Sequence, residues 1–156
     1  MADTYTVQRT LTIDAPPERV HLHIANFHRW TAWSPWEDVD PALDRQYSGP
    51  EFGVGAVYRW AGNRRAGSGT MGIVESVPPN LVRIDLNFEK PFKARNDTAF
   101  RIEPEGTGSR VTWTMTGKVT FGTKVMSLFG SMDKLLGRDF EKGLARLKAV
   151  SEAPAA

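Results

Sequence analysis

Two charges interrupt strand faces that are otherwise apolar: Arg9 stands between Val7 and Leu11, and Glu75 between Ile73 and Val77. Turned into an apolar interior, such a guanidinium and carboxylate would orient a carbonyl or hydroxyl of a bound molecule. A carboxylate held there by burial could also move a proton. Tyr58, in an inward phase of its own strand, adds a phenol to the set. The plainer placement, which is the favoured one, has Arg9 snorkelling at the sheet edge and Glu75 in water near a strand end, turned outward by a bulge. Asp85, Asn87 and Glu89 oppose a clean apolar set and belong to solvent. No catalytic residue is assigned.

His21, His23 and His28 do not compose a metal site. On a helix, His21 and His23 point about 200° apart, since each residue advances about 100°. His21 and His28 share a face but lie two turns apart, with no acid-rich cluster beside them. They read as surface histidines, His28 nearest the mouth of any pocket. Trp30, Trp33 and Trp36 recur every third residue; a base-stacking platform would need interleaved basic residues, and Glu37 and Asp38 follow instead. Their expected role is packing under a sheet. Gly53, Gly55, Gly67 and Gly69 read as turns and sheet-bending sites rather than a phosphate loop, because no Lys-Ser pair and no helix follow. No Gly-x-Ser-x-Gly elbow of a hydrolase occurs. Neither a metal nor a cofactor is expected.

The elements that must position these groups follow from periodicity. Residues 5–13 alternate as a half-buried strand, with Val7, Leu11 and Ile13 on one face. Asp14 and the Pro16–Pro17 pair stop the strand and suit the first turn of a helix. A short helix to about Trp30 is expected, then a further turn over 36–40 after Pro35. From 44 to 121 the pattern is of strands joined by short connections, over 45–48, 56–60, 68–77, 81–89, 96–103 and 109–120. Short connections make antiparallel meanders. Beyond Gly122 the apolar residues Val125, Leu128, Phe129, Met132, Leu135, Leu136, Phe140, Leu144 and Leu147 recur at three and four, the mark of a long amphipathic helix, with bends expected near Gly130 and Gly137.

The fold class is therefore α+β, a curved antiparallel sheet of six or seven strands wrapped around a long C-terminal helix. One domain is expected over residues 1–150, with a flexible tail at 151–156. The 156 residues can bury a core without staples, and the absence of cysteine excludes disulfides and thiolate metal sites. A net charge of +2 with interspersed signs argues against a nucleic-acid partner; Arg64 and Arg65 fall in a solvated turn. No run approaches a membrane span or a signal peptide, so no stable membrane insertion and a cytoplasmic location are expected.

A helix lying across a bent sheet leaves space near one end, filled by side chains or kept as a pocket. The inward candidates for a ligand-binding wall are Tyr58, Trp60, Met71, Phe88, Phe100, Trp113, Met115, Phe129 and Met132, with Arg9 and Glu75 as polar members; each apolar one could equally be core. The chain resembles the polyketide cyclase/dehydrase proteins of the START and Bet v 1-like (SRPBCC) superfamily over roughly residues 5–149. The resemblance is carried by Ile13 to Pro17 with Val20, by the stretch WTAWSPW at 30–36, by Tyr47 to Pro50 with Gly53 and Gly55, by Tyr58 to Trp60, by Gly67 to Met71, and by DFEKGLARLK at 139–148.

That resemblance implies a helix-grip fold and a partner that is a small hydrophobic molecule, lipid- or polyketide-like. Three functions are compatible with it: a binding module, a cyclase or dehydratase, and a protein-interaction domain whose cavity is filled. The binding module comes first, since no convincing buried titrating group is found and the alternation suggests no exposed apolar patch. Residues 124–134 would form a movable lid over the pocket mouth, or touch a membrane surface. Oligomeric state does not follow from the sequence.

Overall fold

The computed structural model describes residues 4–37, 40–64, 66–90, 93–118 and 132–153, with the backbone alone at 132 and 135. Its order is β1 (Thr4–Ile13), α1 (Pro17–Ala25), a 3-10 helix (Phe27–Ala32), β2 (Asp44–Ser48), β3 (Val57–Ala61), β4 (Ser68–Val77), β5 (Leu81–Lys90), β6 (Ala94–Glu105), β7 (Gly108–Lys118) and α2 (Met132–Glu152). Pro17 opens α1, where its missing N–H costs nothing, and Glu18 adds an acid to the first turn. Asn26 ends α1 and starts the 3-10 helix, its side-chain oxygen accepting from the His28 N–H at 2.9 Å.

The seven strands form one curved, unclosed antiparallel sheet in the order β1-β7-β6-β5-β4-β3-β2, so β1 and β2 are its two edges. The meander β2 to β7 returns the chain to the first strand, as the short connections require. One consequence of the register is a set of concave rows crossing the sheet. The longest runs Tyr5, Gly117, Asn96, Leu86, Met71, Tyr58, Tyr47, one residue from each strand. The next contains Val7, Met115, Thr98, Ile84 and Ile73, and the next Arg9, Trp113, Phe100 and Val82.

The α2 helix lies along β1. Its first turn meets Arg9 through Asp133, and its last reaches the Asp14 N–H, which donates to Glu152 Oε2 at 2.7 Å. It therefore covers the Ile13 end of the concave face, burying Phe140, Leu144 and Leu147 completely. The helix continues through Ser151, which is buried, so the expected boundary at 150 falls inside it. Gly137 is not explained by a bend: the Arg9 guanidinium crosses it, and a Cβ there would stand 2.6 Å from Arg9 Cζ. Neither described α-helix is long and apolar enough to cross a membrane. The segment expected as a lid falls largely on residues 119–131, outside the described residues.

The tryptophan spacing serves packing, as expected. Residues three apart eclipse on a 3-10 helix, and the Trp30 and Trp33 indole N–H groups donate to the Ile24 and His23 carbonyls at 2.9 and 3.0 Å, satisfying the end of α1. Their rings then meet Phe100 edge to face, and Trp33 and Trp36 meet Trp113 the same way.

Candidate functional site

One continuous core runs along the concave face and includes Tyr58, Met71 and Leu86 as well as Phe100, Trp113 and Met115. At the Ile13 end the hollow is filled. Trp113 stacks on Phe140 with ring centroids 4.1 Å apart and tilts against Phe100 at 4.8 Å, and both Trp113 and Phe100 are buried. Phe100 and Trp113, expected along a pocket wall, thus stand in the packed core, and Met115, also buried, lies one row nearer the Tyr5 end beside Thr98. Phe129 and the side chain of Met132 lie outside the described residues.

At the Tyr5 end the other predicted residues come together. Tyr58, Trp60, Met71 and Phe88 face the same side from β3, β4 and β5. Trp60 crosses Gly69 on the neighbouring strand, meets Phe88 edge to face at 5.6 Å and donates its N–H to the Ala66 carbonyl at 2.9 Å. Trp60 and Phe88 are only partly buried. Ring contacts run from Trp30 through Phe27 to Tyr58 and on to Trp60, framing the Leu86–Met71 strip on one flank.

The two charges are placed otherwise than the predicted polar set required. A bulge in β4 between Ile73 and Glu75 shifts the alternation by one residue. Glu75 is turned to the convex face, where it accepts from Arg83 Nη1 at 3.1 Å, and Val77 becomes exposed. Arg9 does face inward, but its five N–H donors are matched by acceptors at Glu141, the Gln8 carbonyl, the Asp133 carbonyl and both Asp133 carboxylate oxygens. It straps β1 to α2, and its hydrogen bond holds the Asp133 carboxyl below the usual carboxylate range.

The polar groups that do meet Tyr58 come from elsewhere. Glu37, in the turn after the 3-10 helix, has a side chain only 8 % exposed. It accepts from the Tyr58 hydroxyl at 3.0 Å and from Arg45 Nε at 2.6 Å, while Arg45 Nη2 donates to the Glu37 carbonyl at 3.0 Å. Burial, and then the adjacent Glu37 charge, push the Tyr58 phenol far above its ordinary range, so it stays a hydrogen-bond donor. On the far flank, the Tyr5 hydroxyl donates to Asn96 Oδ1 at 2.6 Å. The bond passes directly over Gly117, where a Cβ would stand 2.8 Å from the Tyr5 oxygen. Glu37, Arg45, Tyr5 and Asn96 were not singled out by sequence. The only signal available was the inward phase of Tyr5 and Asn96 on their strands.

Of the histidines, His21 is buried rather than exposed and has its Nε2 3.3 Å from Ser76 Oγ; burial lowers its pKa. His28 stacks on Tyr47 at 3.9 Å beside a surface cleft of 290 Å³ lined also by Ser48, Pro50, Glu51 and Val57. Among the described residues, no three His, Asp or Glu side chains converge as a metal site.

Comparison with known proteins agrees with this architecture. The sequence matches the family described as polyketide cyclase/dehydrase and lipid transport over residues 4–152. Among curated proteins, no sequence matches it. A protein from Chromobacterium violaceum superposes with a TM-score of 0.69 at 16% identity, covering 96% of this chain and 98% of its own. One from Rhizobium leguminosarum gives 0.68 at 16%, covering 97% of each. The di-domain ARO/CYC BexL gives 0.68 at 15%, over 97% of this chain and 51% of the larger protein. At these identities the likeness is one of fold.

Proposed function

Because the chain belongs to the polyketide cyclase/dehydrase and lipid transport family, we propose that it binds a small, largely apolar molecule against the Tyr5 end of its concave face. The observation that carries this reading is the Leu86–Met71 strip. It lies beyond the aromatic cluster that fills the Ile13 end, is flanked by Trp60 and Phe88, and has polar groups at both ends. Apolar walls with a few fixed polar groups are what small-molecule sites use.

Binding is favoured over cyclisation or dehydration. General acid–base work asks for a group that titrates near the working pH and is free to exchange a proton. Tyr58 is held protonated, and Glu37 is engaged by Tyr58 and Arg45.

Native mass spectrometry of the purified protein should reveal a cell-derived small molecule, and an apolar fluorescent dye such as anilinonaphthalene sulfonate should bind saturably. Trp60→Ala and Met71→Gln should each weaken the dye about tenfold, the order expected for losing 1–2 kcal/mol of apolar contact. No adduct together with non-saturable dye binding would end this reading.

A further inference from the structure

We infer that β6 supplies the polar anchor of this site and that the ligand carries an oxygen there, a carbonyl or a hydroxyl on an otherwise apolar skeleton. The inference rests on the ligand-binding reading and names the chemistry of its guest.

Asn96 and Thr98 are two residues apart on β6 and so point to the same concave face. Both are 4% exposed. The Thr98 hydroxyl is buried with no hydrogen-bond partner, between Met115 and Ile84 in its row. A buried hydroxyl left unpaired is costly. Among the described residues His23 Nδ1, Trp113 Nε1 and Ser151 Oγ are also buried without a partner, and the Thr98 hydroxyl is the one that shares β6 with Asn96. The Asn96 amide is oriented rather than free to turn. Its oxygen accepts the Tyr5 hydroxyl, which leaves its NH2 as the end available to a guest. Gly117 makes this orientation possible, because any side chain there would displace both partners.

The two groups therefore offer one fixed donor and one hydroxyl that can donate or accept, a pair suited to a carbonyl or hydroxyl oxygen. They suit a carboxylate or phosphate less, since neither carries a positive charge and, among the described residues, Arg9 is committed to α2 and Arg45 to Glu37. Along the row, Leu86 and Met71 separate Asn96 from Tyr58, three strand spacings or roughly 14 Å.

Thr98→Val is the decisive variant, because it keeps the shape and removes an unpaired buried hydroxyl, so it should fold at least as stably as the parent. Affinities for 9-fluorenone and for fluorene, which share a skeleton and differ at one oxygen-bearing carbon, can be measured by equilibrium dialysis. The parent should prefer the ketone. Thr98→Val should lose roughly fivefold in affinity for the ketone with little change for the hydrocarbon, and Thr98→Ser should restore the preference. If both compounds bind the parent equally and Thr98→Val changes neither, the polar anchor is wrong while the apolar site stands. If neither binds, the ligand-binding reading falls and this inference with it.

Discussion

Trp113 on β7 and Phe140 on α2 lie face to face, their ring planes 3° from parallel. Each is almost completely buried, and Trp33, Trp36 and Phe100 close the remaining sides. The pair joins sheet to helix at the point where a wider hollow would otherwise begin. Phe140→Ala and Trp113→Ala should each cost about 3–5 kcal/mol in denaturant unfolding, the usual range for removing a core aromatic. A loss below about 1 kcal/mol with dye binding abolished would move Trp113 from the core to the pocket wall.

The phenol titration offers a second check. The chain has three tyrosines, and burial raises the pKa of each one, Tyr58 most. Their neutral forms are favoured in the folded state. The resulting stability is fully present below the unfolded value near pH 10 and is lost as pH rises through the folded values. Absorbance near 295 nm should therefore lag behind free tyrosine until the protein unfolds, then rise for all three together. Ordinary titration of three phenols in a protein that remains folded would refute the enclosure of Tyr58.

Arg9 and Asp133 give a third. Removing the strap with Arg9→Met should speed amide exchange severalfold in the first turns of α2 while leaving β5 and β6 unchanged. Because Asp133 is held below its usual range by Arg9, its contribution is present above about pH 4 and fades as pH falls through the depressed value. Exchange in α2 that ignores both the substitution and acid would show that Arg9 does not hold the helix.

Gly69 gives a fourth. A Cβ there would collide with the Asn87 carbonyl and stand 2.5 Å from the Trp60 indole. Backbone cannot yield cheaply, so Gly69→Ala should cost about 1–3 kcal/mol and red-shift the Trp60 contribution to fluorescence. An unshifted spectrum in a variant of parental stability would mean the indole does not lie across this strand.

The elements were legible because burial imposes a period. Val82, Ile84 and Leu86 alternate along β5, and Phe140, Leu144 and Leu147 mark one face of α2, as their burial requires. Alternation alone would turn Glu75 and Val77 inward, but one inserted residue at the β4 bulge reverses every later side chain, and only the expectation of a bulge at Glu75 allows for that. The polar part of the site was the least legible. Glu37 reaches Tyr58 from a turn 21 residues earlier, and Arg45 joins them only through the β2–β3 pairing. No local pattern encodes such meetings. Arg9 lies on an inward phase of the edge strand β1, but its partners on α2 are 124 and 132 residues away.

The closed aromatic end has a bearing on how such a chain can change. Cohesion resides in one set of rings, near Trp113, while recognition is assigned to another set of side chains, along the row from Asn96 to Tyr58. Leu86 and Met71 are themselves buried in the core, so substitutions that re-shape the proposed site are tolerated best where apolar volume is kept. On the proposed reading, the guest could change while the frame near Trp113 is kept.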